Sequence, residues 1–587
     1  MRSRRFWSYV RRYQRAYLIG YAASVASIGM AQLSPWVLKF AVDGIRLGVS
    51  SARLAMYAGA LIALAIGESG FSYLMRMQIL GAAHRIEADL RHDYFAHLQR
   101  MPMGFFQTIR TGDLMARAVN DIRAVQRLAG AGLMRSVSTA VMLFASVAFM
   151  LSISPPLTAW TMVILPLVTL LFLVLGGEIH RRFDEVQAQF SALSTRAQES
   201  FSGIRVIKAF SREEGETTRF RNEAERVVVT NLRLARVQGA LWPAIGLILG
   251  VASVVLLWQG GSEVIRGRIT LGQMVQFSYY LTRLSFPMIA LGWVTNLWQQ
   301  GRASMDRLDE IFATAPQIKD PRDPVILARA RGEIEFRNVG VAFDGRQALR
   351  GINLVIPAGR TVAIVGPTGS GKSALVQLIP RLYDPTEGQV LIDGRDARQI
   401  SLESLRRAIA FVPQETFLFS DTLYENIAFG ADSGDGHRVA DAAEVSQLAA
   451  DVEEFPHRYD TIIGERGVTL SGGQKQRAAL ARAVLRDPGI LILDDALSSV
   501  DTQTEREILR RLHAVMATRT SIVISHRIST VQDADWIVVL SDGRIVAQGT
   551  HASLLALGGL YADLYEKQLL REALEADDPG QDGPPPS

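Results

Sequence analysis

Six apolar stretches, all before residue 305, limit what this chain of 587 residues can fold into. They run roughly Tyr17 to Phe40, Leu54 to Leu74, Leu133 to Ile153, Leu157 to Gly177, Leu241 to Trp258, and Leu271 to Leu297. Each is near the ~20 residues that a helix needs to cross a bilayer. Their spacing is uneven. Short links join the first to the second, the third to the fourth (Ser154, Pro155, Pro156), and the fifth to the sixth. About sixty polar, helix-favouring residues separate the second from the third and the fourth from the fifth. A chain patterned in this way predicts three long helical hairpins in a membrane.

Charge then orients the hairpins. The N-terminus is basic (Arg2, Arg4, Arg5, Arg11, Arg12, Arg15), and the first long segment carries Arg85, Arg91, Arg100, Arg110, Arg117, Arg123 and Arg127. Arginine beside apolar spans marks the cytoplasmic side, which places the short links outside and the N-terminus inside. An even number of spans returns the C-terminal half to the cytoplasm, so a multi-pass protein of the cell (inner) membrane is expected. The net charge of +5 is therefore read as membrane topology and not as a nucleic-acid surface. With no cysteine, disulfides, thiolate metal sites and cysteine nucleophiles are excluded, and nine scattered histidines form no zinc pattern. The first apolar run continues into Trp36 and Leu38 without a small-residue cleavage site, so no signal peptide is expected. A mean hydropathy of +0.14 averages this oily half with a second half that reads as a soluble α/β enzyme.

The long segments are periodic enough to carry the membrane helices beyond the bilayer, and each contains one break. The first is Met101-Pro102-Met103-Gly104-Phe105-Phe106, and the second is Gly203-Ile204-Arg205-Val206-Ile207-Lys208-Ala209-Phe210. Either short helices lie across the hairpin tips or the breaks are plain loops. Polar residues within the spans are few. Lys39, Glu68, Gln273, Gln276, Arg283 and Asn296 cost free energy in hydrocarbon and are expected to face a cavity or a neighbouring helix. Tyr279, Tyr280, Trp293 and Trp298 could line an amphipathic path or pack between helices, and Pro287 and Gly292 allow the sixth span to bend.

After a linker at 313–330 the pattern turns to strands. Apolar Val362 to Val365 leads into Gly366-Pro367-Thr368-Gly369-Ser370-Gly371-Lys372-Ser373 and then an apolar helix pattern. This is GxxxxGKS in the strand–loop–helix setting that a phosphate-binding loop needs. Its glycines let backbone N–H groups wrap phosphates, Lys372 would reach the β- and γ-phosphates, and Ser373 would ligate Mg²⁺. About 120 residues later, Gly489 to Asp501 reads GILILDDALSSVD. Four apolar residues suit a buried parallel strand, which ends on Asp494 and Asp495 in the crevice where open α/β sheets bind ligands. One carboxylate there can hold Mg²⁺ through its water shell, and the other could orient an attacking water. Leu470-Ser471-Gly472-Gly473-Gln474 opens a helix and offers a further anion site, free to serve the nucleotide of a second copy of the domain.

With LSGGQ between these two motifs, the chain resembles the ABC transporter superfamily over nearly its whole length. It looks like an exporter-type half-transporter: an α-helical six-span membrane domain (1–312), the linker (313–330), an α/β P-loop nucleotide-binding domain (331–570) and a polar tail (571–587) expected to be disordered. The resemblance implies further roles. Phe343 matches the aromatic that stacks on adenine, where most relatives have tyrosine. Gln414 matches the glutamine that contacts Mg²⁺ and the docking helices, Gly464-Glu465-Arg466-Gly467 the loop that senses those helices, and Ser498 to Asp501 the loop along the dimer interface. His526 matches the histidine at the γ-phosphate. Under the resemblance the two hairpin breaks read as coupling helices.

The implied cycle binds ATP with Lys372, Ser373 and Phe343 of one domain and covers it with Ser471 to Gln474 of the other. Closure then passes through Gln414 to the membrane helices, and hydrolysis resets the dimer. One position departs from the family pattern: fully active relatives carry glutamate after the magnesium aspartate, and this chain has Asp495. A side chain one methylene shorter sits about an ångström back from the water, a misplacement that can cost about 10²-fold in rate. This resembles one subunit of the heterodimeric exporters, whose partner supplies the catalytic glutamate. A homodimer in which Asp495 still serves, for instance as a lipid flippase, is the competing expectation. The expected activity is ATP-driven export of amphipathic compounds such as drugs or lipids, against import of metal–chelator complexes by the same fold. A peptide exporter with an added N-terminal protease domain is not expected, because the first span starts about sixteen residues into the chain. The spans argue against a nucleic-acid or ribosome ATPase.

Overall fold

The computed structural model describes residues 4–343, 345–431, 436–464 and 470–576. Glu465, Arg466 and Gly467, expected in the helix-sensing loop, lie outside the described residues, as does the tail from 577 onward. Packing divides the chain into two compact units: Met1–Arg100 with Ile109–Ala315, and Met101–Thr108 with Pro316–Ser587.

The first unit is helical. A short amphipathic helix α1 (Arg4–Arg12) precedes α2 (Gln14–Arg46) and α3 (Ser51–Leu98). After the short helix α4 (Met103–Thr108) come α5 (Thr111–Ile153) and α6 (Pro155–Ser202), then the short α7 (Ile204–Ala209), α8 (Glu213–Ile265) and α9 (Leu271–Ala313). The 48 residues of α3 and of α6 each extend about 72 Å at 1.5 Å per residue, against about 30 Å of hydrocarbon, so both continue far beyond a bilayer. The two expected breaks form α4 and α7, which resolves the choice between short helices and plain loops. At the link between the third and fourth spans only Ser154 leaves the helix, and its hydroxyl accepts from Leu157 N while Pro155 starts α6.

Among the described residues, five helices are long and apolar enough to cross a membrane: α2, α3, α5, α6 and α8. The sixth expected span forms as the 43-residue helix α9, but it does not reach the apolar composition of the others. The reason is that one face of α9 meets protein. Gln276, Phe277, Tyr280, Leu281 and Leu284 are buried. The Tyr280 hydroxyl donates to Gln32 O at 2.8 Å, and its ring stacks on Phe149 with centroids 5.5 Å apart. Where a face packs on other helices, hydrogen bonds can replace the lipid-facing apolar residues. At its start, α9 is joined to α2: Thr270 Oγ1 and Gly272 N donate to the two oxygens of Asp43, each at 2.7 Å. Among the described residues, three π-helical turns, Arg117–Asp121 and Leu128–Gly132 within α5 and Leu256–Gly260 within α8, have no counterpart in the sequence pattern.

Helix α1 is tied to two long helices. Tyr9 donates to Asp93 at 2.6 Å and Arg12 to Asp89 at 3.2 Å, both on α3, while Arg5 pairs with Asp309 of α9 at 3.3 Å. The arginines that orient the chain by charge are therefore also interhelical contacts.

The second unit holds two sheets. Strands β1 (Ile334–Phe343), β2 (Arg346–Ile356), β3 (Thr361–Val365), β4 (Glu387–Ile392), β5 (Arg395–Asp396), β6 (Ile409–Val412), β7 (Ile490–Asp494), β8 (Thr520–Ile524), β9 (Trp536–Ser541) and β10 (Arg544–Gly549) follow in order. An antiparallel sheet runs β2-β1-β4-β5, and a six-stranded sheet runs β10-β9-β3-β8-β7-β6. Strands β3, β6, β7, β8 and β9 of the second sheet are mutually parallel, with β6 at one edge, and the interior strands β3, β7 and β8 are buried almost throughout, which is why they read as continuous apolar runs. The segment after α9 is fastened to this unit: Val325 N donates to Gln399 O, and Asp320 accepts from Leu402 N at 2.7 Å. The C-terminal helix Leu560–Ala576 continues past 570, the boundary expected for the tail.

Candidate nucleotide site

The phosphate-loop motif lies where the sequence pattern requires it. Strand β3 is sandwiched between β8 and β9, and residues 366–371 connect it to the helix α10 (Lys372–Gln377). Two glycines of the loop are needed for space. Gly366 has φ of +152°, and a Cβ there would overlap the Leu540 carbonyl; Gly371 has φ of +99°, with Ala348 O only 2.8 Å from where a Cβ would sit. Gly366→Ala is expected to destabilise the unit by about 2 kcal/mol or more, since neither the strained φ nor the backbone oxygen can yield cheaply. A thermal scan of the purified full chain checks this as a lowered unfolding midpoint.

Within the loop, Lys372 is buried, and its Nζ donates to Gly366 O and Pro367 O, each at 2.8 Å. Burial lowers its pKa, opposed by the negative charges of Asp495 and Asp494. Asp494 ends β7, also buried, and accepts from Ser373 Oγ at 3.1 Å. Burial raises the Asp494 carboxyl above the ordinary range; the Ser373 bond works against that rise and the adjacent Asp495 adds to it. Asp495 leaves the strand with φ of +49°, a left-handed conformation that few non-glycine residues adopt. Its N–H donates to Ile524 O at 2.9 Å, and its Oδ2 accepts from Gln414 Nε2 at 3.3 Å.

These residues surround one cleft of about 230 Å³, lined by Thr368 to Ala374, Gln414, Asp494, Asp495, Ile524 and the exposed His526. Its contents fit a phosphate. Ser370 Oγ is buried there with no hydrogen-bond partner among the described residues, next to a buried ammonium and the glycine backbone. The paired oxygens of Ser373 and Asp494 are the hard donors that Mg²⁺ takes.

Two sets of singled-out residues lie elsewhere. Phe343 ends β1 and meets the edge of Tyr383, with ring centroids 5.0 Å apart. Burial raises the pKa of Tyr383, opposed by the neighbouring Gln107 side chain of α4. Leu470 to Gln474 do not line the cleft either. Ser471 caps the helix α11 (Gly472–Leu485) in a reciprocal box, its hydroxyl accepting from Gln474 N at 3.2 Å while Gln474 Oε1 accepts from Ser471 N at 3.0 Å. Gln474 Nε2 also donates to Asp451 at 2.8 Å.

One residue of this neighbourhood escapes sequence reasoning. Gln476, buried on α11, donates to Ser498 Oγ at 2.9 Å and accepts from Ser499 N at 2.8 Å. It thus joins the LSGGQ helix to the loop that follows Asp495. Its proximity to LSGGQ was the available signal, but glutamine in a polar helix start has no distinctive spacing.

Comparison with known proteins identifies the assembly. Residues 17–288 match the family model described as ABC transporter transmembrane region, and residues 349–498 match the one described as ABC transporter. The chain is 37% identical over 570 residues to the multidrug resistance-like ATP-binding protein MdlA of Escherichia coli, covering 97% of this chain and 96% of that protein. The chain belongs to the ABC transporter family. It is also 37% identical over 533 residues to an ATP-dependent lipid A-core flippase of Syntrophus aciditrophicus, covering 91% and 89% of the two chains. Among solved structures, that of a bacterial Atm1-family ABC exporter with ATP bound superposes with a TM-score of 0.77 at 30% identity, covering 95% of this chain and 98% of the other. This ABC transporter is a multi-pass membrane protein of the exporter type that joins a helical transmembrane domain to an α/β nucleotide-binding domain. It couples ATP hydrolysis to transport, and proteins of this type work as dimers.

Proposed function

We propose that this chain is the slow-site half of a heterodimeric exporter of amphipathic compounds in the cell membrane, with its nucleotide unit in the cytoplasm. The observation that carries the reading is Asp495: it shares one cleft with Lys372, Ser373, Gln414, Asp494 and His526, yet it is an aspartate where active relatives carry glutamate, and it lies in a left-handed turn with its carboxylate on Gln414. Phe343 holds adenine, and Gly366 to Ser373 hold the phosphates, with Lys372 leaving its carbonyl partners for the β- and γ-phosphates. Ser373, Gln414 and Asp494 hold Mg²⁺, which when bound neutralises phosphate charge. His526 meets the γ-phosphate. Leu470 to Gln474 cover the partner's ATP, so the fast site is the one built on the partner's glutamate and closed by this chain.

Coupling runs through the hairpin tips. Support comes from the grouping of Met101–Thr108 with the nucleotide unit and from the Phe343–Tyr383–Gln107 contacts, which link the adenine side of the site to α4. The domain limits follow the same reading, with the membrane domain to 312 and the nucleotide domain over 331–570.

The experiment that tests export is ATP-dependent movement of a fluorescent amphiphile in inverted membrane vesicles. Export appears as accumulation inside the vesicles that stops when ATP is withheld. Depletion from the lumen would overturn export in favour of import by the same fold.

A further inference from the structure

Helix α9 has a second polar face, opposite in character to the buried one. Val275, Ser278, Tyr279, Thr282 and Arg283 line an open groove of about 460 Å³ together with Leu38 of α2. That volume lies within the ~300–1,000 Å³ of small-molecule sites. Arg283 is ordered here by two neighbours. It donates from Nη2 to the Tyr279 hydroxyl at 3.2 Å, and its guanidinium lies 5.1 Å from the centroid of that ring. The same Nη2 stands 3.8 Å from Glu68 Oε2 of α3, with the two side chains 24% and 35% exposed.

A charged side chain in the middle of a span is costly unless it is satisfied, and such residues mark pathways by default. A satisfied pair closes to about 2.8 Å. At 3.8 Å the Arg283–Glu68 pair falls well short of that, so each ion keeps unsatisfied capacity beside the groove. An amphiphile with a single charge would satisfy one member and leave the other facing a like charge or nothing. Leaving one member of this half-buried pair without its counter-charge is unfavourable, and like-charge contacts are how sites reject ligands. A ligand carrying both charges satisfies both members.

We infer that this groove selects zwitterionic amphiphiles, with the ligand's anionic oxygen on Arg283, its cationic group between Glu68 and the Tyr279 ring, and its apolar chain along Leu38 and Val275. The inference rests on the reading of the transporter as an exporter of amphiphiles and names the substrate class. The cationic half of the contact is a recognised use of aromatic faces.

The test measures stimulation of ATPase in the assembled full-length transporter in lipid nanodiscs. Three probes share one octyl chain: octylphosphocholine, octyl phosphate and octyltrimethylammonium. Octylphosphocholine is expected to act at a concentration about tenfold below the other two. Glu68→Gln is expected to move the preference to octyl phosphate, Arg283→Gln to octyltrimethylammonium, and the exchange Glu68→Arg with Arg283→Glu to restore the zwitterion. A preference of the unchanged protein for a singly charged probe overturns the proposal, even if a variant fails to assemble. So does an identical order of potency in all four proteins, which would make the pair a structural tie while leaving amphiphile export standing. Silence of all three probes in the unchanged protein overturns the proposal together with the amphiphile reading.

Discussion

Asp495→Glu raises the ATPase rate of this chain assembled with itself by about 10²-fold. The native aspartate ends one methylene short of where a glutamate carboxylate would stand, and an ångström of misplacement at a reacting centre costs about that factor, or ~2.7 kcal/mol in barrier. Three features of Asp495 underlie the expectation that it does not make up the distance. Its backbone is fixed by the N–H bond to Ile524 O at 2.9 Å, and its Oδ2 is held by Gln414 at 3.3 Å. The left-handed φ of +49° leaves little room for the backbone shift that could carry the carboxylate forward. The measurement is steady-state phosphate release from the purified lone chain, native and substituted, at saturating ATP. A native rate already within threefold of the variant's would mean that Asp495 reaches the water unaided.

Lys372→Ala weakens ATP binding to this chain's own site by about 10²-fold. Lys372 is a buried cation whose two present acceptors are loop carbonyls, so phosphate oxygens compete for a donor that is already desolvated. A hydrogen bond to a charged group contributes about 3 kcal/mol, which is ~10²-fold in Kd. Titration of a fluorescent ATP analogue reads this directly. An affinity within threefold of the native protein would contradict the placement of phosphate against Lys372.

The two expectations call on different links in the argument, and the sequence served them unequally. Lys372, Ser373 and Asp494 converge because local patterns dictate it: an apolar strand, a glycine-rich loop and a second apolar strand ending in carboxylate put them at the same edge of one parallel sheet. The long helices were legible for a similar reason, since hydropathy and period act over neighbouring residues. Contacts made across great sequence distance left no such trace. The joining of Asp43 to Thr270 and Gly272, the Tyr280 bond to Gln32, and the Arg283–Glu68 pair all depend on which helices become neighbours. Polar residues in the spans were visible as costly, but not which of them would be buried and which would line a groove. The modest hydropathy of α9 has the same origin, because a helix packed against protein need not look like one packed against lipid. The π-helical turns of α5 and α8 and the left-handed turn at Asp495 are backbone states set by packing, beyond the reach of residue type.

The central claim is that this chain covers a fast ATP site built on another chain while its own site turns over slowly. It is tested most directly by assembling the chain with a half-transporter that carries glutamate at the position matching Asp495, and measuring ATPase after single substitutions on each side. The account predicts that Asp495→Asn leaves the rate of the pair within about twofold, whereas glutamate→glutamine on the partner lowers it by at least ~10²-fold, the scale of a displaced catalytic group. Equal losses from the two substitutions, or strong ATPase of the lone chain that Asp495→Asn abolishes, would contradict it.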